Sequence, residues 1–428
     1  MEISKYYLSV DALDGKHKIL YSTLTTSLVK LSNEKYKSFF VENDFSDEAT
    51  LKMLLDNGFI VENIKYQEEL LATIYKNEMI NRTPVVKIFS TNKCNAKCYY
   101  CFESGIKFID MSPKIATQTA KFIKSFYDKN ELQINWFGGE PLLNFDAIRQ
   151  ITADLVSDGY NLTTHVTTNG SLITQEYIDF FIANYRKVSF QVTIDEIGEA
   201  YYKVKQYDNL GVNEAYSTII HNTKMLLDNG VSTRIRINFH KKKLERAKIV
   251  FETLKEVFKD YEDLVIYLAP LTFDNEKRDE IEAEHTHLSL MNFYSEHNVI
   301  FDNTNKSKNL LTSLSLKPKA IPCGSCRTKN LTITAEGLLY KCHRIAKYNH
   351  CVIGDVWNGL DINNEYYKMF VEPYRIDKSC IDCNVYPICR GGCKVVANIT
   401  KEKGKTCDIY SKHHELVLLY YQKVTANK

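Results

Sequence analysis

The sequence has few residues that break regular structure, and it has no long apolar run. Only 8 of its 428 residues are Pro and 17 are Gly, which argues against a chain dominated by disorder. No apolar run approaches the roughly 20 residues that a membrane helix needs, and residues 1–18 contain no signal-peptide core. A net charge of +2 argues against bulk electrostatic binding to nucleic acid or membrane. We therefore expect a cytoplasmic globular protein of two or three domains that binds neither nucleic acid nor membrane.

Cysteine is absent from the middle of the chain and concentrated at two places. None lies between Cys101 and Cys323, whereas three lie within residues 94–101 and nine within residues 323–407. Disulfides rarely persist in a reducing cytoplasm. Clustered thiols there are typical of metal or iron–sulfur ligands. Scattered structural cysteines, the alternative, would be spaced more evenly.

From residue 85 onward, short apolar runs alternate with helical stretches. Six strand–helix units in succession predict an α/β fold with a parallel sheet. A closed barrel of this type usually has eight units, so we expect an open, partial (β/α)6 TIM-like barrel over residues 85–271. The predicted strands are Val85–Ser90, Leu132–Phe137, His165–Thr168, Val188–Ile194, Arg234–Phe239 and Leu264–Ala269. The predicted helices are Lys114–Asp128, Asp146–Asp158, Gln175–Asn184, Ala215–Asp228 and Leu244–Phe258.

The segments on either side of the barrel differ from it in pattern. Residues 1–84 predict strands within Tyr6–Val10 and Lys18–Leu31, then helices ending near Phe40 and Asn57. Residues 272–322 are polar and predict a helix and a linker. Residues 323–428 have little periodicity, so metal ligation is the predicted scaffold of this cysteine-rich domain. A closing helix is predicted over residues 412–424.

The first cysteine group has the spacing C-x3-C-x2-C and follows the first predicted strand at once. Its ligands would be Cys94, Cys98 and Cys101. Active sites of barrels lie at this end of the strands. Three thiolates bind three irons of a [4Fe-4S] cluster and leave the fourth iron open to another ligand. A zinc knuckle with a distant fourth ligand is the alternative.

With Tyr100 before its last cysteine, this motif resembles the signature of the radical S-adenosylmethionine (SAM) superfamily. The resemblance implies that Cys94, Cys98 and Cys101 hold the catalytic cluster and that SAM chelates its open iron. It further implies that an electron, from a donor such as flavodoxin or ferredoxin, cleaves SAM to methionine and a 5′-deoxyadenosyl radical. The radical would then abstract a hydrogen from the substrate.

Three further segments, each at the end of a predicted strand, are similar to SAM-binding elements of that superfamily. Gly138-Gly139-Glu140 is implied to contact the methionine amino group through its backbone and carboxylate. Asn169 lies in a Thr-Asn-Gly turn near the cofactor, and Thr193 with Asp195 would lie at the ribose. An Asn-Gly turn or a helix cap by Asp195 are the structural alternatives.

The chain departs from the usual pattern of these relatives after the fourth strand. Glu196 stands where they have Gly, and their ribose-contacting Arg is replaced by Lys203 or Lys205.

The C-terminal cysteines are similar to the SPASM extension of the same superfamily. Gly337-x4-Cys342 is followed by C-x2-C-x5-C-x3-C and a last cysteine. This resemblance implies two auxiliary [4Fe-4S] clusters, three in all, with a pair of zinc sites as the alternative. The implied ligands are Cys323, Cys326, Cys342 and Cys393 for the first, and Cys380, Cys383, Cys389 and Cys407 for the second. Cys351 is left over and is predicted to be a small buried residue.

SPASM relatives mostly modify peptides or proteins. The layout of residues 1–61 resembles a winged-helix-like module that binds the leader of a precursor peptide by strand addition, although a simple cap on the barrel is the alternative. We therefore expect a maturase of ribosomally synthesised peptides that installs a thioether or carbon crosslink. A sulfatase-type maturase that forms formylglycine, and a non-catalytic peptide-binding protein with zinc or a cluster, are the other hypotheses.

Overall fold

The computed structural model describes residues 1–80, 82–262, 264–271, 293, 317–372, 380 and 382–399. The predicted helix at 412–424 and most of the predicted linker at 272–322 lie outside these residues. The chain forms two compact units. One comprises Met1–Asn81, Arg278–Gly324 and Pro373–Lys428, and the other comprises Arg82–Lys277 and Ser325–Glu372. The four-part domain division expected from the sequence stays a prediction.

The N-terminal part of the first unit is a three-stranded antiparallel sheet followed by three helices. The predicted strand Lys18–Leu31 is in fact two strands, because the chain turns at Ser22–Ser27 with Thr26 at φ 65°. Ser32 and Asp47 immediately precede helices α1 and α2, and their side chains cap the first turn. The elements are β1 Glu2–Ile3, β2 Tyr7–Asp11, β3 His17–Ser22, β4 Leu28–Ser32, α1 Asn33–Phe40, α2 Glu48–Asp56, β5 Ile60–Val61 and α3 Ile64–Ile80.

A cysteine-rich segment, residues 382–399, packs within the same unit. Arg390 is buried, and its guanidinium donates to the carbonyls of Ala320, at 3.0 Å, and Leu71, at 3.2 Å. The Thr23 hydroxyl donates to the Asn384 carbonyl at 2.6 Å. Side chains and backbone of the N-terminal elements therefore hold this segment in place.

The second unit is built on an eight-stranded sheet with the order β11-β10-β9-β8-β7-β6-β12-β13. Strands β6 to β11 are parallel, as predicted. The strands and helices up to this point are β6 Val85–Thr91, α4 Pro113–Phe126, β7 Glu131–Gly138, α5 Phe145–Ser157, β8 Asn161–Thr168, α6 Gln175–Asn184, β9 Lys187–Thr193, α7 Glu199–Lys205, α8 Val212–Asp228, β10 Ser232–Phe239, α9 Leu244–Val257 and β11 Val265–Pro270.

Two strands that the sequence analysis missed extend this sheet. Strand β12 pairs in parallel with β6, and β13 pairs antiparallel with β12. Both are too short to show a periodic pattern. The later elements are β12 Leu331–Ile333, β13 Leu339–Tyr340, β14 Gly354–Asp355, β15 Gly359–Leu360, α10 Glu365–Val371, α11 Tyr386–Cys389 and α12 Lys394–Asn398, the last two belonging to the first unit.

Alternate side chains of the parallel strands lie on opposite faces of the sheet. On β10, for example, Ile235 and Ile237 are fully buried, while Arg234, Arg236 and Asn238 are partly exposed. The buried set faces the helices and forms the hydrophobic core. The other set faces the concave side, which we call the inner face of the sheet. Among the described residues, no helix combines the length and apolarity that crossing a membrane requires.

Candidate active site

The three cysteines of the first motif lie in one loop at the carboxyl end of β6. Cys101 is exposed, and Cys94 and Cys98 are partly buried. The loop is fixed by backbone bonds on both sides, since Lys97 N–H donates to the Lys205 carbonyl at 2.7 Å and Asp208 N–H to the Asn95 carbonyl at 2.9 Å. Cys101 N–H donates to the Cys98 carbonyl at 3.1 Å. These contacts place the three cysteines on one short, well-anchored loop.

The two glycines at the end of β7, Gly138 and Gly139, allow the backbone of this loop to approach. A Cβ on Gly138 would lie 2.1 Å from the Thr91 carbonyl oxygen, and one on Gly139 would lie 2.1 Å from that of Lys93. Gly138 also has φ 116°, which disfavours other residues. The glycines are therefore required by the contact with the cysteine loop, whatever contacts they make with a cofactor.

Glu140 is fully buried and both of its carboxylate oxygens are bonded to the protein. Oε1 accepts from the Thr168 hydroxyl at 2.8 Å, and Oε2 accepts from Asn169 N–H at 2.7 Å. Burial raises the pKa of this carboxyl to about 7, although the hydrogen bonds oppose the shift. Glu140 thus joins the ends of β7 and β8 beneath the cysteine loop.

Asn169 connects the β8 turn to the cysteine loop. Its amide Nδ2 donates to Asn95 Oδ1 at 2.8 Å and lies 3.9 Å from Cys94 Sγ. Its Oδ1 accepts from the backbone N–H of Ser171 at 2.9 Å. The predicted cofactor turn is therefore built into the support of the first cysteine.

A buried ion pair lies behind the second cysteine. Lys205 Nζ is 2.8 Å from Asp195 Oδ2, and both side chains are 2% exposed. The Tyr100 hydroxyl donates to the same oxygen of Asp195 and accepts from Lys205 Nζ at 2.9 Å. Burial by itself lowers the pKa of Lys205, but the Asp195 charge outweighs it and holds that pKa well above its usual value. We call these three residues the Tyr100–Asp195–Lys205 cluster.

The residues after the fourth strand, where the chain departs from its relatives' pattern, differ in their surroundings. Lys205 lies in the cluster, whereas Lys203 is exposed. Asp195 does not cap a helix, because its Oδ1 accepts from Asn238 N–H at 2.8 Å on the neighbouring strand. Glu196 forms a salt bridge with Arg246 of α9 at 2.6 Å, which accounts for a charged residue at that place.

Thr193 lies partly buried at the end of β9, opposite Arg236 of β10. It therefore stands at the rim of the inner face, two residues before Asp195 of the Tyr100–Asp195–Lys205 cluster; its contact with a cofactor stays a prediction.

The donor set of the cysteine loop fits an iron–sulfur cluster. Thiolates are the ligands that such clusters take, and backbone N–H groups of Ala96 and Glu103 point to the sulfurs of Cys94 and Cys101. Burial raises the pKa of the Cys94 thiol to about 12, and the nearby Glu140 carboxylate adds to this. Metal binding would therefore displace protons from the loop. Among the described residues, no three His, Cys, Asp or Glu side chains stand close enough to share one metal ion.

The C-terminal cysteines fall in both units. Cys326 and Cys342 are buried in the barrel unit, and Cys351 is also fully buried there. The other unit contains the described cysteines Cys323, Cys380, Cys383, Cys389 and Cys393. Cys407 lies outside the described residues. The two auxiliary ligand sets stay predictions.

Sequence reasoning missed a group of residues beside the cysteine loop on the inner face. Lys87 Nζ lies 2.9 Å from His343 Nδ1, and the His343 ring packs edge-on against Phe137 and Phe102. Glu103 is buried, and its Oε1 has no hydrogen-bond partner among the described residues. Burial raises its pKa to about 7. In the sequence, the only indication of this group was that Lys87 lies between apolar residues of the first predicted strand, which is β6.

Comparison with known proteins identifies the domain that carries these elements. Residues 88–245 match the model of the Radical SAM superfamily. This segment contains the cysteine loop, Glu140, Asn169 and the Tyr100–Asp195–Lys205 cluster. Residues 88–245 are a radical SAM domain.

Among curated proteins, the chain is similar to the radical SAM cyclopropyl synthase TigE of Paramaledivibacter caminithermalis. The two are 26% identical over 216 residues, which are 42% of this chain and 46% of that protein. The matched segment thus spans less than half of the relative.

Two solved structures share the fold over most of the chain. One is anSMEcpe with bound AdoMet, which is 17% identical with a TM-score of 0.63 and covers 80% of this chain and 99% of that one. The other is Streptococcus suis SuiB bound to S-adenosylmethionine, which is 16% identical with a TM-score of 0.56 and covers 95% of this chain and 99% of that one. These likenesses show a partial barrel of the radical SAM type.

Proposed function

We propose that this protein is a radical SAM maturase that abstracts hydrogen from a ribosomally synthesised precursor peptide and installs a thioether or carbon crosslink. The observation that carries the proposal is the anchored loop with three cysteines, held against the Gly-Gly-Glu segment inside a radical SAM domain. When bound, the [4Fe-4S] cluster and SAM would supply the 5′-deoxyadenosyl radical.

The residues of the chain would bind and shield these groups. Cys94, Cys98 and Cys101 would hold the cluster. The backbone of Gly138 and Gly139, with Asn169, Tyr100, Thr193 and Asp195, would surround SAM. Glu140 would act chiefly by position, since its oxygens are already bonded to Thr168 and Asn169.

A peptide substrate is supported by what the structural relatives bind. SuiB was crystallised with the precursor peptide SuiA, and anSMEcpe with the Kp18Cys peptide. In this chain, β4 pairs with β3 on one side, and no second partner strand is found among the described residues. An exposed strand edge of this kind can accept a peptide as an added strand. We propose that it binds the leader.

The C-terminal cysteines support two auxiliary [4Fe-4S] clusters. Their spacing is the basis of this proposal, together with the compact turns that the described ones form: Cys383 N–H donates to the Cys380 carbonyl at 3.2 Å and Gly392 N–H to that of Cys389 at 3.1 Å. We expect reconstituted protein to contain about twelve irons, four for each [4Fe-4S] cluster.

An incubation with a candidate precursor peptide tests the function. Reconstituted, reduced protein with SAM should form 5′-deoxyadenosine and remove two hydrogens from the peptide at each modified site. Tandem mass spectra should then locate a crosslink. A product that reacts with a hydrazide would instead reveal an aldehyde and favour the formylglycine maturase. A protein that holds iron and binds the peptide but forms no 5′-deoxyadenosine would be a binding protein, and the proposal would be wrong.

A further inference from the structure

Two arginines of β10 face the inner side of the parallel sheet. Arg234 and Arg236 alternate with the buried Thr233, Ile235 and Ile237, so that both guanidinium groups are on the concave side. Arg236 lies three residues and Arg234 five residues before Phe239, where the strand ends. At about 3.3 Å per residue, this places Arg236 roughly 10 Å and Arg234 roughly 16 Å inside the barrel from its carboxyl end.

The neighbours of these arginines are polar but neutral. Arg236 Nε donates to Asn238 Oδ1 at 2.7 Å, and its guanidinium lies 5.9 Å from the centre of the Tyr267 ring. The Tyr267 hydroxyl donates to Gln191 Oε1 at 2.6 Å, and Gln191 is the register partner of Arg234. Uncharged groups thus orient Arg236 without neutralising it, and Arg234 lies next to the uncharged Gln191 in the sheet.

No carboxylate among the described residues forms an ion pair with Arg234 or Arg236. Three carboxylates of the barrel unit already have other cationic partners. Asp195 is paired with Lys205, Glu196 with Arg246 and Glu131 with Arg186. Two guanidinium groups on the inner wall therefore keep their charge available for a ligand.

The positive field of the inner face acts on two histidines. Burial, and then the charges of Arg234 and Lys87, lower the pKa of His165 to about 4. The pKa of His343 is well below its usual value for the same reason, with Lys87, Arg344 and Arg236 as the charges. Lys87, Arg234 and Arg236 therefore share one region, which has excess positive charge.

We propose that Arg234 and Arg236 form a carboxylate-binding site for the reacting segment of the peptide substrate. This inference rests on the proposed function. Guanidinium groups bind carboxylates through paired hydrogen bonds, and partial burial strengthens such contacts. The carboxylate belongs to an Asp or Glu side chain near the modified residue, or to the peptide C-terminus. The site would hold that residue in the barrel below SAM.

Residue-specific chemical modification tests the site without turnover. Phenylglyoxal modifies accessible arginines, and mass spectrometry would give its rate at each residue of the reconstituted protein. The probes are three short peptides of one sequence: one with Asp and a C-terminal amide, one with Asn and an amide, and one with Asn and a free carboxylate. We expect a carboxylate probe to slow modification of Arg234 and Arg236 at least tenfold, while the Asn amide does not.

The choice of probe separates the two sources of the carboxylate. Protection by the Asp amide alone would assign a side chain, and protection by the free C-terminus alone would assign the peptide end. Arg149, which pairs with Glu176 on the helices outside the sheet, is the internal control and should react at one rate throughout. If no carboxylate probe protects Arg234 and Arg236, the inference is overturned.

Variants separate substrate binding from cofactor binding. R234Q and R236Q should bind the protecting probe at least tenfold more weakly, whereas R149Q should bind it as wild type does; iron content verifies folding. If the first two variants instead lose SAM affinity and keep probe affinity, the arginines are cofactor ligands and the inference is wrong. Formation of 5′-deoxyadenosine by the same wild-type preparation tests the proposed function independently.

Discussion

At the scale of single residues, the pair Lys205 and Asp195 makes the clearest energetic prediction. Removing one partner of a buried ion pair costs about 3–5 kcal/mol, since the other charge is left unpaired. K205M should therefore lower the thermal midpoint by several degrees and loosen the cysteine loop, whose Lys97 N–H bonds to the Lys205 carbonyl. Scanning calorimetry measures the midpoint. The matched variant K203M, at an exposed site, should change it little, and equal effects would contradict the assignment.

Gly139 makes a steric prediction. In G139A the new Cβ would be placed 2.1 Å from the Lys93 carbonyl oxygen, so the cysteine loop has to move. We expect this variant to retain about four irons fewer than wild type, measured by iron analysis after reconstitution. In G211A, the nearest atom would be 3.6 Å away, and iron content should not change. Full iron loading of G139A would show that the contact is not required.

His165 predicts a pH dependence of stability. Its pKa in the folded chain is about 4, below the usual 6.5, because of burial and then the nearby Arg234 and Lys87. Between these values the unfolded chain binds a proton that the folded chain does not, so stability falls as the pH drops. The thermal midpoint of wild type should decrease more from pH 7 to pH 5 than that of H165N. Equal decreases would contradict this assignment.

Much of the site at the residue scale could be predicted from motifs, because cysteine spacing and Gly-Gly-Glu are local in sequence. Lys205, Lys87 and Glu103 could not be predicted in the same way. Their roles depend on burial and on neighbours that are distant in the chain, such as Asp195 for Lys205 and His343 for Lys87. In the sequence, Arg234 and Arg236 of β10 only alternate with apolar residues. The structure was needed to show that both lie on the inner face of the sheet.

At the scale of elements, the addition of β12 to the edge of the barrel sheet depends on a side chain. Asn330 Oδ1 accepts from Val85 N–H at 3.0 Å, next to the first paired residues of β12 and β6. N330A should leave that N–H without its partner, at a cost of about 1–3 kcal/mol. Amides of Leu331–Ile333 should then exchange hydrogen faster. N358A, in an exposed turn, is the control, and unchanged exchange in N330A would contradict the prediction.

The long elements were predictable because their periodicity is strong. The six parallel strands of the barrel were found with their ends within a few residues, and helix Gln175–Asn184 has the predicted bounds. The helix Ile64–Ile80 and strands β12 and β13 were missed. Apolar residues such as Leu70 are exposed on that helix, so its pattern does not mark one face, and the two strands obtain their stability from β6.

At the scale of the whole molecule, the chain combines a radical SAM domain with a second unit that unites its N-terminal elements and a cysteine-rich segment. The sequence analysis placed these two parts in separate domains, since they are far apart in the chain. Their contacts, such as that of Arg390 with the Leu71 carbonyl, join residues more than 300 positions apart. We infer that peptide recognition and the proposed second auxiliary cluster belong to one unit, and the chemistry at SAM belongs to the other.

The central claim is that the first three cysteines hold the cluster that cleaves SAM. Iron content and SAM cleavage after their removal test it most directly. The protein with Cys94, Cys98 and Cys101 changed to Ala should contain about four irons fewer than wild type and form no 5′-deoxyadenosine when reduced with SAM. C351A, which changes a buried cysteine outside the proposed ligand sets, should keep both properties. A triple variant that still cleaves SAM would contradict the account.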